Sequence, residues 1–534
     1  MKKNFKALML CFAATALLAA CGGSKDSGTE ASQGTNTLDR PFVYVAQQVV
    51  GSIDPAKVID ETEIIAAVNL YDPLFYPDTA NGKMDPVPHL ASEYEVSEDG
   101  LVYTVKLRDD VTFHSGNPFT ADDVVYTMQR MLAVGQGNSW LWNNVLDAEN
   151  VKKIDDYTVE FTLNNAYAPF ISSMTQLFIV DSKLLEENTT GDDYGQAYLE
   201  NNEAGSGPYT LAKWDRESQI DYKAYEDYWK GWKDNQFKDV QMKIITEEAT
   251  VKTLLVSGQA DMVHQWLNVS AYKEFENNDK LVVQKDPSAK LQHIPMNMQK
   301  APTDDENVRK AIAAAFDYDS ANKDILGDST QAVGPVPIVV TGNNPDVTVF
   351  KQDLEQAKEY LAASKYAGQD ISVDFMIMGE NPEQRQFGQL VSDNLSKIGI
   401  KVNIVNATWP QITEAATSAE KTPNLTLISD SLKYPHVDSH TYGIYHPSTQ
   451  GSFRTMSWYD DEETTNILDE ARKEIDVDKQ LELYKKAQEI ITAKAPSIYV
   501  ANPTHNIAYA NYVDGYTFVG LMGYDIAFYN LSMK

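Results

Sequence analysis

Residues 371–407 constrain the fold more tightly than any other stretch. ISVDFMIM (371–378) alternates apolar and polar residues, which places Ile371, Val373, Phe375 and Ile377 on one face of a strand. PEQRQFGQLVSDNLSKIG then reads as a helix, Gly399 ends it, and IKVNIVNA (400–407) is a second strand. A strand–helix–strand unit within one sheet requires parallel strands joined by a right-handed crossover. Other segments fit around it. EYEVSEDGLVYTVKLRDDVTF alternates about Asp99-Gly100, a hairpin signal, and VKKIDDYTVEFTL (151–163) predicts a second hairpin. Thr120 and Asp123 have capping-box spacing ahead of a helix carrying Val124, Met128, Met131 and Leu132 on one side. ETEIIAAVNLYDPLF (61–75) predicts a short helix running into a loop. With 534 residues, more than one domain is expected. The reading is a mixed α/β protein of at least two lobes.

The amino end has a different character. MKKNFKALMLCFAATALLAAC places Lys2, Lys3 and Lys6 before an apolar run too short to span a bilayer, with small residues ahead of Cys21. This is the pattern of a secretory signal, and Leu-Ala-Ala-Cys resembles a bacterial lipobox. That resemblance implies cleavage before Cys21 and lipid on its thiol. The only other Cys, Cys11, lies inside the signal, so the mature chain forms no internal disulfide and has no Cys cluster. Residues 22–39, rich in Gly, Ser and Thr, read as a flexible tether.

The formal net charge is −32. The first twenty residues hold three Lys and no acid, which puts the remainder at −35. Such a balance repels phosphate backbones and speaks against nucleic-acid binding.

Several segments resemble one family, the extracellular solute-binding proteins of peptide/nickel-type ABC importers (family 5). They are YDPLF…NGKMDPVPHLASEYEVSEDGLVYTVKLRDDVTFHSGNPFTADDVVYTMQR, GSGPYTLAKWDRESQIDYKAYEDYWKG, NVRKAIAAAFD, DLEQAKEYLAAS and GQLVSDNLSKIGIKVNIV. The resemblance implies two periplasmic-binding-protein-like lobes hinged on two crossing strands, with an extra subdomain on the first. The implied division is a signal at 1–20 and a tether at 21–39 with lipidated Cys21. The first lobe comprises 40–72, 205–290 and 500–534, the subdomain 73–204, and the second lobe 291–499. It further implies a monomer without catalytic activity or cofactor. Such a receptor captures a peptide-like or other polar organic solute between its lobes and delivers it to permease subunits driven by ATPases. The lipid would hold it on the outer face of the cell membrane.

Candidate ligand residues follow from the cleft. Trp409 lies past the carboxyl end of a parallel strand, where ligands of α/β lobes collect. His264, Gln265 and Trp266 follow a Gly-x-x-Asp segment that lies near the cleft in the family. Trp140 and Trp142 offer stacking surfaces, with core packing as the competing role. Tyr71 and Asn297 complete the set outside residues 430–447.

The stretch YPHVDSHTYGIYHP (434–447) admits three readings: a ligand-reading loop, a metal site, or structural histidines. The first would use Asp430, Lys433, Tyr434, His436, Asp438 and His440. The second would use His436, Asp438, His440 and His446, imidazole and carboxylate being suited to nickel or zinc. Peptide-binding members of the family carry an Asp before the Tyr to anchor the peptide ammonium; Lys433 stands there instead. A cation at that position argues against a free-amine peptide in the usual pose and admits an anionic or amino-blocked solute. If Lys433 lined the pocket, Lys433→Asp would weaken binding while leaving melting nearly intact. Two rivals to the peptide receptor remain: a nickel or metal-chelate receptor, and a secreted carboxylate-dependent hydrolase. The chain has no Gly-x-Ser-x-Gly, His-Glu-x-x-His or Cys nucleophile to support the hydrolase.

Overall fold

The computed structural model describes residues 38–263, 267–327 and 329–534; Cys21 and His264–Trp266 lie outside them. The first lobe is built on a seven-stranded sheet in the order Leu281–Pro287, Thr504–Ala510, Met262–Val263, Phe42–Ala46, Asp239–Ile244, Gln219–Ala224, Tyr209–Asp215. Phe42–Ala46 runs parallel to both its neighbours, and every residue of it is buried. A strand covered on both faces reads as a continuous apolar run, as FVYVA does. The chain joins this sheet through Arg40, whose guanidinium donates to both Asp261 oxygens at 2.6 Å and to Gly258 O at 2.8 Å.

The subdomain is a four-stranded antiparallel sheet in the order Ala91–Val96, Val102–Leu107, Thr158–Thr162, Val151–Asp155. Both expected hairpins are present, the first turning at Gly100 with φ of 69°. The helix Ala121–Val134 packs on the sheet and carries the expected capping box; Asp123 also accepts from the Ser182 amide and hydroxyl.

In the second lobe, Ile371–Met378 pairs in parallel with Ile400–Ala407 over its whole length, across the helix Pro382–Ser396. Ile371, Val373, Phe375 and Ile377 are buried, as their alternation predicts. A second, antiparallel sheet has Lys290–Pro295 between Ile428–Ser431 and Ser497–Ala501.

Two neighbouring connections cross between the lobes. Leu281–Pro287 in the first lobe leads into Lys290–Pro295 in the second, and Ser497–Ala501 leads back into Thr504–Ala510. The strands pair antiparallel on both sides of the crossing, and Ser288 Oγ donates to Pro503 O within it.

The Gly-Ser-Gly of residues 205–207 is required by close approach. A Cβ on Gly205 would sit 1.9 Å from Leu70 O, and one on Gly207 would sit 2.5 Å from the Leu70 carbonyl carbon. Only glycine lets this backbone lie against the end of the helix Glu61–Leu70.

Candidate functional site

A cavity of about 260 Å3 lies between the lobes. From the first lobe its wall takes Gln47, Gln48 and Val49, past the end of Phe42–Ala46, and Asp60 and Glu61 at the head of the helix Glu61–Leu70. Thr246 and Glu248 follow the strand Asp239–Ile244. From the second lobe come Met378 and Glu380 with the start of the helix Pro382–Ser396, Thr408, Trp409, Pro410 and Ile412 beyond the adjacent parallel strand, Ile428–Ser431, and Phe453. Most of these positions follow the carboxyl ends of strands, where ligands of α/β sheets bind. Trp409 and Phe453 meet edge to face, centroids 4.9 Å apart, and give the cavity an aromatic corner.

Asp60 caps its helix. Its Oδ1 accepts from the Glu63 amide at 2.9 Å, its Oδ2 from Gln48 Nε2 at 3.0 Å, and Glu63 Oε2 accepts from the Ile59 amide at 2.9 Å. Burial pushes the Asp60 carboxyl up to about 6, against the Glu63 amide, the Lys433 charge and the Trp409 indole, which favour the carboxylate. Burial and the neighbouring Asp60 raise Glu63 to about 8. Asp430 is fully engaged by Arg454, with Nη2 at 2.6 Å and Nε at 2.9 Å. Burial opposes its charge, but Arg454, His440 and Lys433 outweigh burial and hold the carboxyl below its usual range.

The expected residues divide. Trp409 and Asp430 line the cavity. The remaining described candidates do not, and each has another placement. Trp142 is buried in the subdomain core with Nε1 donating to Ser173 Oγ at 3.0 Å. Trp140 reaches across to Tyr434, at 6.2 Å between ring centroids, and crowds Gly443. Tyr71 is enclosed where the Gly205–Gly207 backbone passes. Asn297 is buried and donates to Ala419 O and Thr422 O.

Residues 434–447 form interior structure, which corrects their reading as a ligand loop. Asp438 is fully buried, accepting from Tyr434 Oη at 2.5 Å and Tyr484 Oη at 2.7 Å, with Arg472 Nε at 3.2 Å. His436 contacts Gln480 at 3.2 Å, His440 lies 3.7 Å from Asp430, and His446 stacks on Tyr442. Among the described residues no group of three or more His, Cys, Asp or Glu could hold a metal ion, so His436, Asp438, His440 and His446 are not brought together as one.

Lys433 is the sharpest departure. It is wholly buried and stands outside the cavity wall. Its Nζ donates to Ile59 O at 2.9 Å and lies 3.4 Å from Asn138 Oδ1, so one side chain ties the second lobe to the first and to the subdomain. Burial and then Arg454 push its ammonium down to about 7, against Asp430, Asp60 and Glu63. The residues that sequence reasoning missed, Gln47, Gln48, Asp60, Glu380 and Phe453, surround Trp409 and Asp430 instead.

Comparison with known proteins gives a consistent picture. The profile described as bacterial extracellular solute-binding proteins, family 5 Middle, matches residues 85–452. Heme-binding protein A of Haemophilus influenzae is 28% identical over 99% of this chain and 99% of its own. The dipeptide-binding protein of Escherichia coli is 28% identical over 79% of this chain and 82% of its own. Among solved structures, the periplasmic binding protein DppA from Helicobacter pylori in complex with peptide STSA superposes with a TM-score of 0.83 at 24% identity, covering 92% of this chain and 98% of that one. NikZ from Campylobacter jejuni in complex with Ni(L-His) gives 0.80 at 21% identity, covering 92% and 99%.

Proposed function

The chain belongs to the bacterial extracellular solute-binding proteins, family 5, and on that premise we propose that it is a receptor that closes on a peptide-like or other polar organic solute and passes it to a membrane permease. The carrying observation is the cavity whose wall is contributed by both lobes across two crossing strands. A solute that contacts both lobes favours the arrangement in which they meet, by the difference in its affinity for the open and closed states. The dipeptide-binding relatives and the peptide-bound neighbour support the solute class.

In this proposal the lobes and the subdomain, 73–204, keep the expected bounds except at the crossing, where Lys290, Val500 and Ala501 go with the second lobe because their strands pair there. Cleavage before Cys21 and lipid on its thiol would anchor the receptor outside the cytoplasm. More than one acyl chain is needed for a stable anchor. The receptor works as a monomer and releases its cargo unchanged.

Native mass spectrometry of protein purified from its own host tests the reading, followed by calorimetry with the recovered compound. A peptide or similar organic solute released intact supports it. Turnover of that solute would favour a hydrolase, and a metal retained until chelation would favour a metal receptor.

A further inference from the structure

The cavity has a one-sided charge. Five carboxylates line it, from Asp60, Glu61, Glu248, Glu380 and Asp430, and no Lys, Arg or His stands among the described lining residues. Two of the five already have a cation behind them. Asp430 is paired with Arg454, and Glu61 with Lys290 at 3.2 Å. Among the described residues, Asp60, Glu248 and Glu380 have no Lys or Arg within ion-pairing distance.

A neutral group in the same wall also awaits a donor. The Gln47 Oε1 atom is buried without a hydrogen-bond partner. Ser431, more than nine-tenths buried, lines the cavity beside Asp430. A carboxylate offers about four acceptor sites; two of those on Asp60 are taken by the Glu63 amide and Gln48, and the Trp409 indole also favours its charge, which leaves acceptor capacity for a solute. Unmet acceptors and uncompensated carboxylates around one apolar, aromatic corner ask for a group rich in N–H donors and positive charge. Of the two nearby buried ammoniums, Lys290 is spent on Glu61 and Lys433 on Ile59 O and Asn138, on the far side of the wall. An anionic solute, which Lys433 suggests when the sequence is read alone, would face the carboxylates with no cation in the wall to meet it.

The geometry points to a solute of net positive charge whose ammonium or guanidinium seats on Asp60, with its organic part against Trp409 and Phe453. The cation would then sit at the head of a first-lobe helix while the organic part rests on second-lobe rings, so the charge itself helps draw the lobes together. This deepens the receptor reading and rests on it.

The test is calorimetry with three dipeptides whose net charge steps from positive through neutral to negative at one side chain: Arg-Phe, Gln-Phe and Glu-Phe, the last two being of equal size. Arg-Phe is expected to bind at least tenfold more tightly than Glu-Phe, with Gln-Phe between them. Asp60→Asn should shrink that ratio to less than threefold while preserving the fold, because Asn caps a helix as well as Asp does. Glu380→Gln, at an exposed position, should shrink it partially and serves if Asp60→Asn misfolds. Glu-Phe binding as tightly as Arg-Phe, or a ratio that both variants leave unchanged, would overturn the inference and leave the receptor reading standing. If none of the three dipeptides binds, both the charge preference and the peptide reading fall.

Discussion

Lys433 Nζ donates to the carbonyl oxygen of Ile59 at 2.9 Å, a bond between residues 374 positions apart in the chain. Ile59 immediately precedes Asp60, so the tie ends beside the cavity without entering it. Replacing the ammonium with a carboxylate would place a third acid beside Asp60 and Glu63, at a fully buried position. Lys433→Asp is therefore expected to lower the thermal midpoint by several degrees or prevent folding, a cost of about 3 kcal/mol or more. This reverses the expectation of intact melting drawn from sequence. Lys433→Met keeps the volume without the charge and should fold; differential scanning fluorimetry of the two variants checks the contrast.

Trp409 is half-exposed at the start of the helix Trp409–Ala415, and its ring faces the cavity beside Phe453. Trp409→Ala should cost solute affinity tenfold or more, roughly 1.4 kcal/mol. Its midpoint of unfolding should stay within about a degree or two, since little core packing is lost. Calorimetry paired with melting separates the two effects.

Asp430 and Arg454 form a buried ion pair whose partners are 1% and 2% exposed at the side chain. Removing one member strands the other, and Asp430→Asn should destabilise the second lobe by roughly 3–5 kcal/mol. Urea denaturation followed by tryptophan fluorescence reports this as an earlier transition.

His293 and His440 are fully buried, and burial pushes both down to about 4. Both are neutral in the folded protein but take up protons near their ordinary value of about 6.5 once unfolded. Their contribution is therefore complete above about pH 6.5 and is lost as pH falls toward 4, by up to about 1.4 kcal/mol per pH unit for each ring. Midpoints measured between pH 7.5 and 4.5 should fall with acid, and His293→Gln should flatten that fall.

Much of the architecture was legible because it is local. The alternation of Ile371–Ile377, the Asp-Gly turn and the Thr120/Asp123 cap each declare themselves within a few residues. The site was legible in one half. The rule that found Trp409, to look past the carboxyl end of a strand, also leads to Gln47 and Gln48 after FVYVA and to Glu380 after ISVDFMIM. Asp60 and Glu63 carried the spacing of a capping box ahead of an apolar run. Residues 434–447 could not be read this way. Their polarity resembles a surface loop, yet the charge at their centre is met by partners far along the chain, Asp438 by Tyr484 and Arg472. Only folding reveals that such a segment is interior.

Arg40 clasps Asp261 and Gly258, all within the first lobe. The second lobe is joined to it covalently only at residues 288–289 and 502–503. Tension applied at the amino end is therefore borne by one half of the molecule and grounded at that clasp before it reaches the crossing. Were the amino end moored as proposed, the load would fall on the half that does not swing, so the strength of the mooring and the ease of the swing would change independently.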